Sequence, residues 1–260
     1  MATETRYYTS YATDFVTSKT QDYRLPADYQ WQHPGRAFQL TSSLVYRLAG
    51  FAGSLYNRVY LHERIVGREK LRATRGRGAF LYLNHTQPVG DAFTPMRIAG
   101  RGRASTVAAP ANLGIPVIGP LIALGRGLVL PSGLHQLGRF TTAMNQRLEA
   151  GDLIAIYPEA HVWPYATMIR PFVSGSLHYP VATNRPVYAA TSTYTRRKYG
   201  KRPRKTVYID GPFYPDLSLR RSERQEDLAQ KISAAMQTRA QQSNVEYIRY
   251  RPVAERSTVK

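Results

Sequence analysis

The segment Asn84-His85-Thr86-Gln87-Pro88-Val89-Gly90-Asp91 carries the residue types of proton transfer. His85 follows a short apolar run, and Asp91 comes six positions later, across a turn holding Pro88 and Gly90. Such a turn can fold the carboxylate onto one imidazole nitrogen and leave the other to act as a general base. The carboxylate then fixes the tautomer and stabilises the imidazolium that forms. A loop hydrogen bond without chemistry is the plain alternative. A second segment, Tyr157-Pro158-Glu159-Ala160-His161, also closes an apolar run. Glu159 can accept from a substrate hydroxyl or brace a neighbouring loop. His161 invites a metal site with His85 and Glu159, but no second histidine stands at ligand spacing, so no metal is expected. In a third segment, Arg170-Pro171-Phe172-Val173-Ser174-Gly175, the residues Gly175 and Ser176 either open a helix whose free N–H groups suit an anion or cap an ordinary turn.

The elements around these segments set where they sit. Ala79 to Leu83 is a short apolar run, read as a buried strand that ends in Asn84-His85. Leu153 to Tyr157 is a second such strand, stopped by Pro158, and further strands are expected at 104–109, 127–130, 187–191 and 206–209. Between them lie a short helix within 115–124, a helix after Ser132 with Leu134, Leu137, Phe140, Met144 and Leu148 on one face, a short helix at 175–184, and a last helix over 217–241. Strands alternating with helices predict an α/β layered domain, with the chemistry on strand-end loops. Ahead of it, Leu40, Leu44, Leu48, Phe51, Leu55 and Val59 recur at steps of three and four, an amphipathic helix over 38–62. That stripe suits either a core or a membrane interface. Residues 1–37 read as an arm of low regular structure, packed through Tyr23, Tyr29 and Trp31, and residues 244–260 as a basic tail.

Lys and Arg total 36 against 17 Asp and Glu, a formal charge of +19. Such a surface suits anionic lipid, nucleic acid or phosphate-bearing ligands. The cluster at 196–205, Arg-Arg-Lys-Tyr-Gly-Lys-Arg-Pro-Arg-Lys, reads as a basic loop that contacts a membrane or is simply solvated. No recognisable nucleic-acid motif accompanies the charge, which disfavours a nucleic-acid-binding module. The absence of cysteine removes thiolate catalysis and thiolate-held metals. The first thirty residues carry Glu4, Asp14, Asp22 and Asp28 without an apolar segment, so no signal peptide is read. No apolar run is long enough to span a bilayer, so any membrane contact is peripheral and the expected location cytoplasmic.

In order, these segments resemble the glycerolipid acyltransferase superfamily, which includes the lysophosphatidic acid (1-acylglycerol-3-phosphate) acyltransferases. Gly67-Arg68-Glu69-Lys70-Leu71, the run 79–83 and Asn84-His85 resemble its first block. Tyr157-Pro158-Glu159 resembles its Phe-Pro-Glu, Phe172-Val173-Ser174-Gly175 its Phe-Lys-x-Gly, and Arg185-Pro186-Val187-Tyr188-Ala189 its last strand. Five residues, not the family's four, separate His85 from Asp91. The family's phosphate-holding arginines are not matched, since Gly127-Leu128-Val129-Leu130 ends in Pro131 and Pro158-Glu159 is followed by Ala160-His161.

The resemblance implies a glycerol-3-phosphate acyltransferase-like fold, a mostly parallel or mixed sheet flanked by helices and preceded by the amphipathic helix. The domain would span 38–243. It implies transfer of a fatty acyl group from acyl-CoA or acyl-carrier-protein to a hydroxyl of a lysophospholipid or related glycerolipid, at an anionic membrane surface and without cofactor or metal. His85 and Asp91 would be catalytic. Glu159, His161, Arg126, Arg170 and Gly175 would contact substrate, with Arg126, Arg170 and His161 substituting for the missing arginines. A non-phosphate acceptor and a non-catalytic lipid-binding protein of the same fold are the alternatives.

Overall fold

The computed structural model describes residues 3–16, 20–116 and 118–254. Val117, within the expected helix at 115–124, and residues 255–260 of the basic tail lie outside them. Among the described residues the chain runs β1 (Glu4–Tyr8), α1 (Arg36–Val59), β2 (Arg64–Val66), β3 (Ala79–Leu83), α2 (Gly90–Ala99), β4 (Ala104–Ala108), α3 (Ile118–Leu124), β5 (Leu128–Val129), α4 (Leu134–Glu149), β6 (Leu153–Ile156), α5 (His178–Thr183), β7 (Val187–Thr195), β8 (Arg204–Phe213), α6 (Arg221–Ala240) and β9 (Ile248–Pro252).

β3 is buried at all five positions, as expected of a strand covered on both faces. It lies in the middle of a seven-stranded sheet of order β2-β8-β7-β3-β6-β4-β5. From β7 to β5 every pairing is parallel. β8 then runs antiparallel to β7, and β2 pairs parallel with β8. The C-terminal ends of β3, β6 and β7 and the N-terminal ends of β8 and β2 therefore share one edge. That edge collects the loops after Leu83 and Ile156 together with the start of β8.

Alternate residues of β3 serve two cores. Phe80 and Tyr82 pack with Phe140, Met144 and Leu148 of α4 and with Leu228, Ile232 and Met236 of α6. Ala79, Leu81 and Leu83 pack with Ile98 of α2 and with Val207 and Ile209 of β8. The face of α4 differs from the one expected. Leu134 is 88% exposed and Leu137 about a third exposed, while Gln136 and Ala143 are buried. The helix starts after Gly133 rather than Ser132. The Ser132 hydroxyl instead accepts from the N–H of Leu25, so the cap is spent on the N-terminal segment.

α1 packs on α2 and α3 through its small and polar residues. A Cβ on Gly53 would stand 2.1 Å from Cγ of Phe93, so only glycine permits this approach. Ser42 donates to the carbonyl of Leu124, and Asn57 at the far end is fully buried. The apolar stripe faces the other way: Leu40, Leu44, Leu48, Phe51, Leu55 and Val59 are 56–74% exposed. No helix among the described residues is long and apolar enough to cross a membrane.

The N-terminal arm is more regular than expected. β1 pairs in parallel with β9, so the first and last described segments form a two-stranded ribbon. Trp31 is buried and donates its indole N–H to the carbonyl of Val129, and Tyr29 packs beside it, whereas Tyr23 is exposed. The hairpin register carries β8 back to Arg204, which faces Thr195. Arg204 and Lys205 therefore belong to a strand, not to the basic loop.

Candidate active site

β3 delivers His85 to the shared edge, and the residue before it anchors the turn. The side-chain amide of Asn84 accepts from the N–H of Ser192 at 2.7 Å and donates to its carbonyl at 3.1 Å, tying the turn to β7. His85 is fixed at both ends of its backbone. Its N–H donates to Glu159 at 3.1 Å, and its carbonyl accepts from the N–H of Trp163 at 3.0 Å. Its ring stacks on Tyr157, with centroids 4.3 Å apart.

Asp91 stands in the first turn of α2, and the intervening loop returns it to the histidine. Asp91 Oδ2 lies 3.0 Å from Nδ1 of His85 and also accepts from the N–H groups of Thr86 and Gln87 at 2.7 and 2.8 Å. The extra residue of the turn is thus absorbed by two backbone hydrogen bonds, and the pair forms. Asp91 is 2% exposed. An isolated carboxylate at that depth would take up a proton. Burial does push its pKa up, but Lys205 and His85 more than offset this and hold it at about 2. An ionised carboxylate only accepts hydrogen bonds, so Nδ1 of His85 is the donor. Among the described residues Nε2 has no protein partner, and the side chain is 20% exposed.

Lys205 is the residue that sequence reasoning placed elsewhere. Its Nζ donates to Oδ1 of Asp91 at 2.8 Å and to Thr94 at 3.1 Å, and lies 3.2 Å from Oε2 of Glu63. It is fully buried. Burial lowers its pKa, yet Asp91 and then Glu63 raise it further, so it remains charged. Glu63, ahead of β2, is buried too, and it accepts from Asn57, Thr94 and Arg97. The Tyr157 hydroxyl donates to the Asp91 carbonyl at 2.5 Å, and burial, then Asp91 and Glu63, raise its pKa well above normal. A basic run at 196–205 hid Lys205. The one available signal was its place directly before the strand-forming Thr206 to Ile209.

The expected substrate contacts are distributed differently. Glu159 and Arg170 are both buried, and they bond each other at 2.6 Å. Arg170 also donates to the carbonyls of His161 and, at 3.5 Å, of His85, and its guanidinium lies 4.7 Å from the centroid of Trp163. The two brace the backbone of His85. His161 Nδ1 lies 3.6 Å from Asp14 of the arm, apart from any set with His85 and Glu159. Gly175 occupies a left-handed turn at φ +79°, three residues before α5 begins at His178, so it does not open that helix. Arg126 is at the opposite edge of the sheet. It pairs with buried Asp152, which precedes β6, while His85 follows the C-terminal end of β3. Asp152 is a buried carboxylate that also pairs with Arg103 at 3.1 Å and lies 4.0 Å from Arg147, so Arg126 belongs to a cation cluster that neutralises it.

No family model and no curated protein matches the chain. Among solved structures, the 1-acyl-sn-glycerophosphate (LPA) acyltransferase PlsC from Thermotoga maritima is similar to it, with TM-score 0.54 over 83% of this chain and 87% of that one, at 15% identity. The likeness is one of fold, and the mixed α/β architecture expected from the resemblance is the architecture present.

Replacing Lys205 with Met would leave two buried carboxylates without their shared cation. Loss of one partner of a buried pair costs about 3–5 kcal/mol. Lys205→Met is therefore expected to lower Tm by on the order of 10 °C. In the wild type, the depressed pKa of Asp91 contributes about 2 kcal/mol. That contribution is complete above the ordinary value of 3.8 and is lost as pH falls toward about 2. Thermal unfolding of both proteins at pH 7 reads the first effect, and urea unfolding of the wild type between pH 6 and pH 2 reads the second; equal Tm values, or a wild-type stability that does not fall between pH 4 and pH 2, would contradict them.

Proposed function

We propose that the protein is an acyltransferase in which His85 is the general base. The observation that carries this reading is the 3.0 Å contact between Nδ1 of His85 and a buried, ionised Asp91, at the strand-end edge of the fold. With Nδ1 holding its proton toward Asp91, Nε2 presents a lone pair to the accessible side. It takes the proton of an acceptor hydroxyl as that oxygen attacks the carbonyl carbon of an acyl thioester. The C–O bond forms, the C–S bond breaks, and the imidazolium returns its proton to the departing thiolate. Asp91 keeps the ring oriented and stabilises the imidazolium in the transition state. Glu159, Arg170, Trp163 and Tyr157 are positioning residues that hold the His85 backbone and ring. No covalent intermediate on the protein is required.

The donor class is acyl-CoA or acyl-carrier-protein, and the acceptor is a hydroxyl of a lysophospholipid or related glycerolipid, as in phospholipid biosynthesis. The similarity in fold to a 1-acyl-sn-glycerophosphate acyltransferase supports this class. Purified protein should transfer label from an acyl thioester to lysophosphatidic acid or glycerol 3-phosphate. His85→Ala should retain its circular dichroism spectrum and lose a factor of about 10²–10⁴ in kcat, the usual share of general-base catalysis. A His85→Ala protein with the wild-type rate would refute the assignment.

We further propose that α1 seats the protein on an anionic bilayer. Its stripe of Leu40, Leu44, Leu48, Phe51, Leu55 and Val59 is exposed over the length of the helix, which is longer and more continuous than scattered surface apolar residues require. Each such side chain gains about 1.5–3 kcal/mol when buried. The triple variant Leu48→Ser, Phe51→Ser, Leu55→Ser changes only exposed positions and should stay folded. Its binding to phosphatidylglycerol-containing vesicles should fall more than tenfold in co-sedimentation. Unchanged binding would remove α1 from the membrane face.

A further inference from the structure

The two arginines expected to read a phosphate are both engaged, Arg170 with Glu159 and Arg126 with Asp152. On the other side of the dyad, however, a cleft of about 620 Å³ opens between the C-terminal end of α1 and the hairpin joining β7 to β8. His62, Arg197, Lys201 and Arg202 line it, with Tyr60 and Tyr247 as its aromatic walls. No aspartate or glutamate is among its lining residues, and none of the four basic residues makes an ion pair among the described residues. The nearby Glu246 is taken by Arg249 at 2.7 Å. Two of the cations are constrained, while Lys201 is exposed. The Arg202 guanidinium lies 3.8 Å from the centroid of Tyr60, and Arg197 is half-buried. His62 sits at φ +49°, an uncommon backbone conformation for a residue with a side chain, and such positions concentrate at binding sites.

The cleft adjoins the dyad. The carbonyl of Leu61, next to His62, accepts from the N–H of Lys205 at 3.1 Å, and Nζ of Lys205 contacts Asp91. One lysine side chain therefore separates the cleft wall from the catalytic carboxylate. On the far wall Tyr247 packs on Tyr165 at 4.7 Å, and the N–H of Tyr165 donates to Thr86 beside His85. Burial, then Arg197, Arg204 and Arg202, depress the pKa of His62, as expected where cations converge without a counter-charge. Guanidinium and ammonium groups gathered beside aromatic faces suit a phosphate monoester.

We infer that this cleft binds a phosphate group of one of the substrates, replacing the family's arginine pair by His62, Arg197, Lys201 and Arg202. The assignment of the phosphate to a substrate rests on the acyltransferase reading. Two sources share the chemistry: the headgroup phosphate of a glycerolipid acceptor and the nucleotide end of the acyl donor. Glycerol 3-phosphate and adenosine 3′,5′-bisphosphate probe them separately, with glycerol and adenosine as uncharged counterparts.

The test is calorimetric titration of the full chain with the four probes. At least one phosphate probe should bind, its uncharged counterpart should not, and the one that binds identifies the source. The triple variant Arg197→Gln, Lys201→Gln, Arg202→Gln should raise Kd at least tenfold. A control removing equal charge elsewhere, Arg75→Gln, Arg101→Gln, Arg221→Gln, should bind like the wild type, as should His85→Ala. Saturation should also raise the pKa of the His62 imidazole in an NMR titration. Absence of binding by both phosphate probes, or equal losses in the cleft and control variants, would overturn the inference. Phosphate binding lost only in the cleft variant, with no acyl transfer from any donor, would uphold the cleft and sink only the acyltransferase reading. Transfer with an unchanged KM for the phosphate-bearing substrates in the cleft variant would sink the cleft and leave that reading standing.

Discussion

The contact of Lys205 with Asp91 and Glu63 is the interaction on which the site depends. Each of the three charges would be costly alone at this depth, and together with Arg97 they leave a buried cluster without net charge. The cluster imposes requirements on elements distant in sequence. β8 must run antiparallel to β7, because only then does its first turn of chain reach the edge where β3 releases His85. The segment before β2 must carry Glu63 there as well, and α1 must end with Asn57 turned inward to complete the Glu63 hydrogen bonds. Lys205 has a second effect. It keeps Asp91 ionised despite burial, which leaves the carboxylate able only to accept, and so sets which nitrogen of His85 holds a proton.

The same cluster connects the edge that carries the His85–Asp91 pair to the surface of the protein. α2 carries Asp91 and Thr94 inward and offers Phe93 to Gly53 of α1, so the helix with the exposed apolar stripe rests on the helix that supplies the dyad. On the opposite side, the β1–β9 ribbon covers the loop after β6. Tyr8, Phe15 and Tyr250 surround Trp163, whose indole N–H donates to the carbonyl of Thr13 and whose backbone N–H holds the carbonyl of His85. The N-terminal segment is in this way part of the support of the site.

Much of this was legible from the sequence, for identifiable reasons. The runs 79–83 and 153–157 end in His85 and near Glu159, and apolar runs of that length are buried strands whose ends lie on one edge. The stripe of α1 was plain from its spacing, but spacing alone does not tell a core face from an interface. The glycine and serine positions opposite the stripe take the packed side, because they allow the close approach to α2 and α3, and the stripe is left exposed. α2 was hidden by Pro95 and by the glycines at its two ends, Gly90 and Gly100, all residues that ordinarily signal loops. Lys205 was hidden by the charge run before it, and its burial follows from the reversal of β8, a matter of topology that local pattern does not encode. The sequence suggests Arg126 and Arg170 as substrate contacts because their carboxylates, Asp152 and Glu159, come close only when the sheet forms.

In the proposed reaction the Lys205–Asp91 pair leaves His85 with its proton on Nδ1 and a bare Nε2 toward the proposed acceptor. Nitrogen-resolved NMR of ¹⁵N-histidine-labelled protein, at a pH where the His85 ring is neutral, tests it most directly. A protonated Nδ1 coupled through a hydrogen bond to Asp91 and an unprotonated Nε2 are expected, a pattern lost in Asp91→Asn. A neutral ring with its proton on Nε2 would contradict it, because that nitrogen then has no lone pair with which to take a proton from the acceptor.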